Sequence, residues 1–249
     1  ITMKVQTYIL LLCFVLVSPG VLLAEENCLE KLRSVYSRLA DESAHGKPGT
    51  CLYMNYSLTM VSRQPQKVAN RSVTTEIYTN NSFTRVYTDE LKLLQDRNDI
   101  VVIHPGRKVL FIRSAPAKET QKILFDDFLL VRDSLFNALD VVSCTVTTNA
   151  EGRHLRVVHC EIKRSRQALY AYRELTFTLD AQDWSLVGVE VKYPPGIPLA
   201  SVTVVYNTIG RRATPVEFTG SVIRSVLALS GEPTGTYKGY TVTDQRKTK

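Results

Sequence analysis

Alternation of apolar and polar residues constrains the fold of this chain more than any other sequence feature. In one run, Leu52, Met54, Tyr56, Leu58 and Met60 alternate with Tyr53, Asn55, Ser57 and Thr59. Because successive side chains of a strand point to opposite faces, this run is predicted to be a strand with one buried side. Further strands are predicted at residues 73–79, 83–88, 91–95, 100–104, 108–113, 141–162 (a hairpin), 169–179, 185–193 and 201–209.

The links between these predicted strands are short and rich in turn-forming residues. They include Asn80-Asn81, the polar run 96–99 and Pro105-Gly106. Proline sets φ near −65° and glycine accepts a positive φ, so residues 104–107 are predicted to form a tight turn with Gly106 in the positive region. Links of this length join antiparallel neighbours, which predicts an antiparallel sheet.

Two segments change to helical spacing. Residues 28–43 carry an apolar stripe at three- and four-residue steps, formed by Leu29, Leu32, Val35, Tyr36 and Leu39. Residues 118–140 carry a second stripe, formed by Leu124, Phe128, Val131, Leu135 and Leu139. This spacing predicts an amphipathic N-terminal helix and a central segment that is one long helix or two short ones.

Together these elements predict an α+β fold. About ten antiparallel strands make a sheet that is too wide to stay flat, because strand twist accumulates and the sheet curls. Its apolar side must be covered, and the N-terminal and central helices are the elements available to cover it. The expected architecture is a curled antiparallel half-barrel covered by these two helices.

The first 24 residues have the layout of a secretory signal peptide. The cation Lys4 precedes an apolar run at residues 8–17, and Ala24 precedes the acidic pair Glu25-Glu26. This layout predicts cleavage after Ala24 and a periplasmic or secreted protein that is soluble after cleavage. The alternatives are a retained membrane anchor and a buried helix. Residues 25–249 are then expected to form a single domain, and we leave open whether the tail from about residue 231 is mobile.

The net charge is +7, from 31 basic and 24 acidic residues. A basic protein in the cytosol would suggest a nucleic-acid partner, but export removes nucleic acid from reach. Anionic lipid headgroups or envelope polysaccharides are the polyanions that remain. The alternative is a solvated surface with excess lysine and arginine.

Four cysteines follow the predicted cleavage site, and an even number in an oxidising compartment indicates disulfides. If the predicted hairpin is centred near Gly152, Cys144 faces Cys160 across it. The prediction is therefore a Cys144–Cys160 disulfide, with Cys28–Cys51 as the second pair and buried free thiols as the alternative. A metal site is disfavoured because His159 adjoins Cys160 on a strand and points to the other face.

Four stretches resemble the LolA/LolB-like superfamily of periplasmic lipoprotein carriers. They are residues 83–87 (FTRVY), 99–109 (DIVVIHPGRKV), 175–190 with its two strands (LTFTLD and LVGVE), and 202–207 (VTVVYN). The resemblance implies a half-barrel whose apolar hollow accepts acyl chains beneath a helical lid. It also implies that Arg85, which matches the arginine of the family's early strand, helps to hold the lid closed through hydrogen bonds.

The sequence contains no G-x-S-x-G, H-E-x-x-H or C-x-x-C motif and no Gly-rich phosphate loop. We therefore expect a protein that is not an enzyme, needs no cofactor and binds lipid or lipoprotein acyl chains. The expected ligand-binding residues are Leu58, Met60, Phe83, Leu124, Phe128, Val131 and Leu135. The alternative function is an envelope protein-interaction or sensor module that uses the same sheet as a scaffold for a protein partner.

Overall fold

The computed structural model describes residues 19–44, 47–66, 69–115 and 134–246 of the chain. Within them, one continuous sheet of twelve strands is accompanied by a 26-residue helix α1 (Pro19–Ala44) and a short helix α2 (Val222–Val226). The α+β prediction of a large curled sheet with few helices is confirmed, with twelve strands where about ten were expected.

The sheet is built from two runs of consecutive strands that meet at its centre. The strands are β1 (Thr50–Ser62), β2 (Arg71–Thr79), β3 (Thr84–Tyr87), β4 (Lys92–Gln95), β5 (Asp99–His104), β6 (Val109–Ser114), β7 (Leu139–Thr148), β8 (His154–Ile162), β9 (Glu174–Asp180), β10 (Leu186–Lys192), β11 (Leu199–Ala213) and β12 (Thr241–Asp244). Their order across the sheet is β12-β6-β5-β4-β3-β2-β1-β11-β10-β9-β8-β7. All neighbours are antiparallel except β12, which pairs with β6 in parallel.

Helix α1 packs on one face of the sheet, which we call the α1 face. Its residues Leu32, Val35 and Tyr36 are at most 5% exposed, as the helical spacing predicts. The Tyr36 ring lies 5.3 Å from that of Phe136 and 6.0 Å from that of Phe177 on β9. The largest core cluster forms here, where α1 meets strands β7 to β11.

The opposite face is covered by a different part of the chain, residues 214–240, which we call the C-terminal cover. It contains a 3-10 turn (Val216–Phe218), helix α2 and a second 3-10 turn (Gly235–Tyr237). Val222 and Val226 are fully buried against a set of apolar residues from β4 to β6: Leu94, Val101, Ile103, Leu110 and Ile112. The chain then enters β12, so part of the predicted tail belongs to the sheet.

The predicted disulfide pairing is wrong. The structure joins Cys28 of α1 to Cys144 of β7, with the two Cα atoms 6.5 Å apart, and leaves Cys51 and Cys160 as buried free thiols. The hairpin register places Cys144 opposite Val158 rather than opposite Cys160. The β7–β8 turn is centred nearer to residue 151 than to Gly152, and a bulge beside Val141 shifts the register once more.

The turn at residues 104–107 is also present but has a different conformation. Pro105–Arg107 form a 3-10 turn, and Lys108 rather than Gly106 takes the positive φ, at 52°. The Lys108 amide closes the turn by donating to the Pro105 carbonyl at 3.2 Å. A lysine can take the left-handed conformation at the end of such a turn, although glycine is more usual there.

Three other predictions either fall on residues that the structure does not describe or differ from the structure in their boundaries. Residues 134–138 are helical, but the rest of the predicted central helix lies outside the described part, and residues 139–140 already belong to β7. Residues 164–169 form a 3-10 helix, so β9 begins at Glu174 rather than near residue 169. The signal-peptide prediction falls mostly on residues before Pro19, outside the description. No helix within the described ranges has the length and apolar character needed to cross a bilayer.

Candidate functional site

A row of apolar side chains crosses the α1 face from the centre of the sheet towards one edge. Cross-strand partners lie on the same face of a sheet, and here seven partners follow one another in register. We call this set the apolar row: Ile209, Met54, Ile77, Val86, Leu93, Val102 and Phe111. With neighbouring strands about 4.8 Å apart, the six steps span roughly 29 Å.

Ile209 at the inner end of the row is half-buried, and from Met54 onwards burial decreases along the apolar row. Met54 and Ile77 are 6% and 8% exposed, Val86, Leu93 and Val102 are half-buried, and Phe111 is 38% exposed. Six of the seven residues come from strands that α1 does not cover with its core cluster. The row is therefore a connected apolar surface that retains solvent-accessible area from β3 to β6.

The inner end of the row reaches a cavity between α1 and the sheet. The cavity has a volume of about 600 Å³, within the range of about 300–1,000 Å³ found for small-molecule sites. Val35 and Leu39 of α1 face Leu186 and Ile209 of the sheet across it. Since Ile209 belongs both to the apolar row and to the cavity lining, the two features are continuous.

The polar part of the cavity lining is dominated by arginine. Arg38 of α1, Arg153 before β8 and Arg211 of β11 line it together with a single acid, Glu42. Arg153 is engaged with Asp180, where its Nε lies 2.8 Å from Oδ2. The Gln182 backbone amide and the Arg153 guanidinium both hold the pKa of Asp180 below its ordinary value.

The wall of the cavity next to Ile209 is formed by Tyr206. Its ring centroid lies 5.8 Å from that of Tyr56 on β1. Burial raises the pKa of the Tyr206 hydroxyl well above its ordinary value, and the neighbouring Tyr56 adds to the shift. The phenol is therefore neutral over the physiological range, and this wall adds no negative charge to the cavity.

The residues predicted to bind ligand do not all come together. Leu58 and Met60 are half-buried on the α1 face, further along β1 than Met54. Phe83 lies on the opposite face, where it is 6% exposed and packs against Cys51 and Phe218. Leu135 packs against the core cluster beneath α1, and Leu124, Phe128 and Val131 lie outside the described residues.

Arg85 bridges the sheet to the C-terminal cover. It is 3% exposed, and its guanidinium donates to the carbonyls of Gln95 at 2.5 Å and Phe218 at 3.4 Å. The same group lies 5.3 Å and 5.5 Å from the ring centroids of Phe83 and Phe218. Burial lowers the pKa of Arg85, an effect that Tyr87 and Asp96 oppose. The contacts are of the kind expected for a lid arginine, but they reach the C-terminal cover.

Sequence reasoning did not find the second anchor of this cover. Asp96 follows β4, and its Oδ2 accepts a hydrogen bond of 2.8 Å from the Val222 amide at the start of α2. Its Oδ1 accepts from the amides of Asn98 and Asp99. In the sequence, this anchor is an aspartate in a polar turn. Aspartates are common in such turns, and the sequence does not show that this one binds a residue more than 120 positions away.

The two free thiols are not arranged for chemistry. Burial raises the pKa of the Cys160 thiol to about 12, and burial also raises the pKa of the Cys51 thiol. A thiol is nucleophilic as the thiolate, so both groups are inert near neutral pH. Among the described residues, no group of three or more His, Cys, Asp or Glu is placed to hold a metal ion.

The sequence matches no family model and no curated protein. Its fold is similar to several solved structures. Lipoprotein LppX of Mycobacterium tuberculosis is 11% identical with a TM-score of 0.46, over 77% of this chain and 98% of that one. LolA superfamily protein NE2245 of Nitrosomonas europaea is 11% identical with a TM-score of 0.32, over 76% and 97%.

A third similar structure is the MucA/MucB complex of Pseudomonas aeruginosa, at 15% identity and a TM-score of 0.35 over 76% of this chain and 60% of that one. The similar structures thus include the LolA superfamily, the class that the sequence resembles. All of these TM-scores are below 0.5, so the functional argument rests on the residues of this chain.

Proposed function

We propose that this protein binds the acyl chain of a lipid or lipoprotein, without catalysing a reaction, in the cell envelope. The observation that carries the proposal is the apolar row, which runs in register across six strands beyond Ile209 and opens into a cavity of about 600 Å³. A flexible hydrocarbon chain needs a long apolar track of this kind, whereas a compact ligand needs only a closed pocket.

The energetics favour a ligand of this class. Burying a methylene group stabilises a complex by about 0.8 kcal/mol, so even a partly covered chain gains several kcal/mol. Val86, Leu93 and Val102 still have exposed area to contribute to such burial. A protein that carries acyl chains through an aqueous compartment must shield them from water, and the predicted export and the disulfide both fit a location outside the cytosol.

The alternative function, an envelope module that binds another protein, is favoured by a different feature. Strand β7 forms one edge of the sheet, and eight of its ten residues, Val141 to Thr148, form an uncharged run. Val142 and Val146 are 48% and 52% exposed on it. Long edges without charges can pair with a strand of another chain, so β7 is the surface on which a protein partner would add.

Lipid extraction and titration test the main proposal. The purified protein is expected to release lipid into organic solvent, detected by mass spectrometry, and to bind a fluorescent fatty acid. Leu93→Glu places a charge in the middle of the apolar row and should weaken binding at least about 10-fold. Val205→Glu is the matched control, because Val205 is 46% exposed on the opposite face of β11.

Circular dichroism and thermal unfolding of both variants show whether the fold is intact. Phe111→Glu provides a second substitution on the row at a residue that is already 38% exposed and so tolerates a charge. The proposal is wrong if no lipid is extracted and no fatty acid binds. It is also wrong if the variants on the row and the Val205 control lose affinity equally while folded.

A further inference from the structure

The cavity at the inner end of the apolar row combines an apolar floor with a cationic rim. Its floor is formed by Val35, Leu39, Leu186 and Ile209, and its rim by Arg38, Arg153, Arg211 and Glu42. Three cations and one anion leave the lining with an excess of positive charge. Apolar ligands alone would gain nothing from this charge, so the rim requires a separate explanation.

Two of the three rim arginines are not engaged. Arg153 pairs with Asp180, but the side chains of Arg38 and Arg211 make no ion pair or hydrogen bond with any residue in the described ranges. They come from different elements, the C-terminal half of α1 and the end of β11, and converge on the same cavity. Two arginines at the exposed border of one cavity, whose side chains have no partner among the described residues, can bind one anionic group between them.

The position of Arg38 and Arg211 beside the inner end of the apolar row indicates which part of a ligand they would bind. Arg211 follows Ile209 by two residues on β11, so its side chain lies on the same face about 7 Å further along. Ile209 begins the row beside Met54. A chain that lies along the row therefore ends with its polar group next to Arg211, with Arg38 above it on the helix.

Resting on the proposed function, we propose that the ligand is an anionic amphiphile, whose phosphate or carboxylate headgroup is bound by Arg38 and Arg211 while its acyl chain lies on the apolar row. The headgroup binds at the cavity rim, where water still reaches it, so the anion is not fully desolvated. The hydrocarbon enters the protein at Ile209. Arg153 remains paired with Asp180, whose carboxylate offsets its charge.

The test compares two probes that differ by one phosphate: palmitoyl lysophosphatidic acid and monopalmitoylglycerol. Wild-type protein should bind the phosphate-bearing probe about 10-fold more tightly, and the preference should decrease as salt is added. The double variant Arg38→Gln/Arg211→Gln should lose the preference, with its affinity for monopalmitoylglycerol unchanged. Isothermal titration calorimetry measures all four dissociation constants.

Arg212→Gln is the matched control. Arg212 adjoins Arg211 in sequence but lies on the opposite face, with its guanidinium carbon 3.5 Å from the centroid of the Tyr53 ring. Its loss changes the net charge by one without touching the cavity, so the preference for the phosphate-bearing probe should persist. A general effect of protein charge would instead reduce the preference in all variants, which would overturn the assignment.

The remaining outcomes separate the two proposals. Wild-type protein that binds both probes equally retains the proposed function and overturns the headgroup site. Protein that binds neither probe overturns both. Inorganic phosphate and glycerol 3-phosphate are titrated alone: if either binds as tightly as lysophosphatidic acid and depends on Arg38 and Arg211, the site takes a free anion, and the lipid headgroup assignment is wrong.

Discussion

Strands β7 to β11 and strands β3 to β6 are covered by different parts of the chain, on opposite faces of one sheet. The first group lies under the 26-residue helix α1, which a disulfide joins to β7. The second group is covered by the C-terminal cover, which has one five-residue helix and is anchored by Arg85 and Asp96. Within the described residues, covering alternate faces leaves the α1 face of β3 to β6 as the place where the apolar row keeps accessible area.

This difference shows how a wide sheet can be both stable and able to bind. One half has a closed core, in which Leu32, Val158 and Cys160 are fully buried. The other half obtains its core from the opposite face, so its α1 face does not have to be filled for the protein to fold.

The largest effect is expected from removing the disulfide. Cys28→Ser/Cys144→Ser should lower the free energy of unfolding by about 4 kcal/mol, because the bond closes a loop of 116 residues. Urea unfolding, followed by tryptophan fluorescence, measures the change. Reductant should produce a comparable loss in wild-type protein and have little effect on the double variant. A loss of less than about 1 kcal/mol would show that the cover over β7 to β11 does not depend on the bond.

A smaller effect is expected at the anchor of the C-terminal cover. Arg85→Met removes buried hydrogen bonds to the Gln95 and Phe218 carbonyls and should cost about 2–3 kcal/mol. Hydrogen exchange should accelerate first at the Val222 amide. Arg71→Met is the matched control: Arg71 is exposed and, among the described residues, its ion pair is with Glu90 alone, so a change below about 1 kcal/mol is expected. Equal losses in the two variants would contradict the role of Arg85 as an anchor.

A third effect, confined to alkaline pH, is expected in the half under α1. The Cys160 thiol has a pKa of about 12 in the folded protein because it is buried, against about 8.5 in an unfolded chain. The thiol's contribution to stability is complete below about pH 8.5 and is lost as the pH rises towards 12, since the unfolded state releases the proton first. The slope is up to about 1.4 kcal/mol per pH unit.

Cys160→Ala should therefore show a shallower decline in the free energy of unfolding between pH 9 and 11 than wild-type protein. Near pH 7.5 the two proteins should have the same slope, whatever the cost of the substitution itself. Urea unfolding at a series of pH values measures both. Parallel curves throughout the alkaline range would mean that the Cys160 thiol is not desolvated as the structure describes.

Much of the fold follows from sequence pattern, because alternation and helical spacing are local properties. Alternation predicted a wide curled sheet, and spacing placed Leu32, Val35 and Tyr36 on the buried side of a helix. The register between two strands is not a local property, because it depends on the turn that joins them and on any bulge in either strand. A turn centred one residue earlier was enough to change the partner of Cys144 from Cys160 to Val158, and a bulge further along then pairs Cys160 with Val141.

The candidate site was predictable only in its chemistry. Apolar residues on a half-covered sheet were expected to bind acyl chains, and Leu58 and Met60 do lie on the α1 face. Which residues are continuous across six strands depends on five separate registers, none of which alternation determines. The cover formed by α2 was missed because its apolar residues lie in a segment of five residues, too short for a clear helical stripe.

The disulfide also fixes one point of α1 to the sheet, about which the helix can pivot. Cys28 is the covalently fixed point, and Arg38 lies ten residues further along the helix, about 15 Å away at 1.5 Å per residue. A rigid helix that pivots at one fixed point moves its far end the most. Any rotation of α1 away from the sheet that leaves the bond intact therefore widens the arginine end of the cavity first, while the Cys28 end keeps its place over β7.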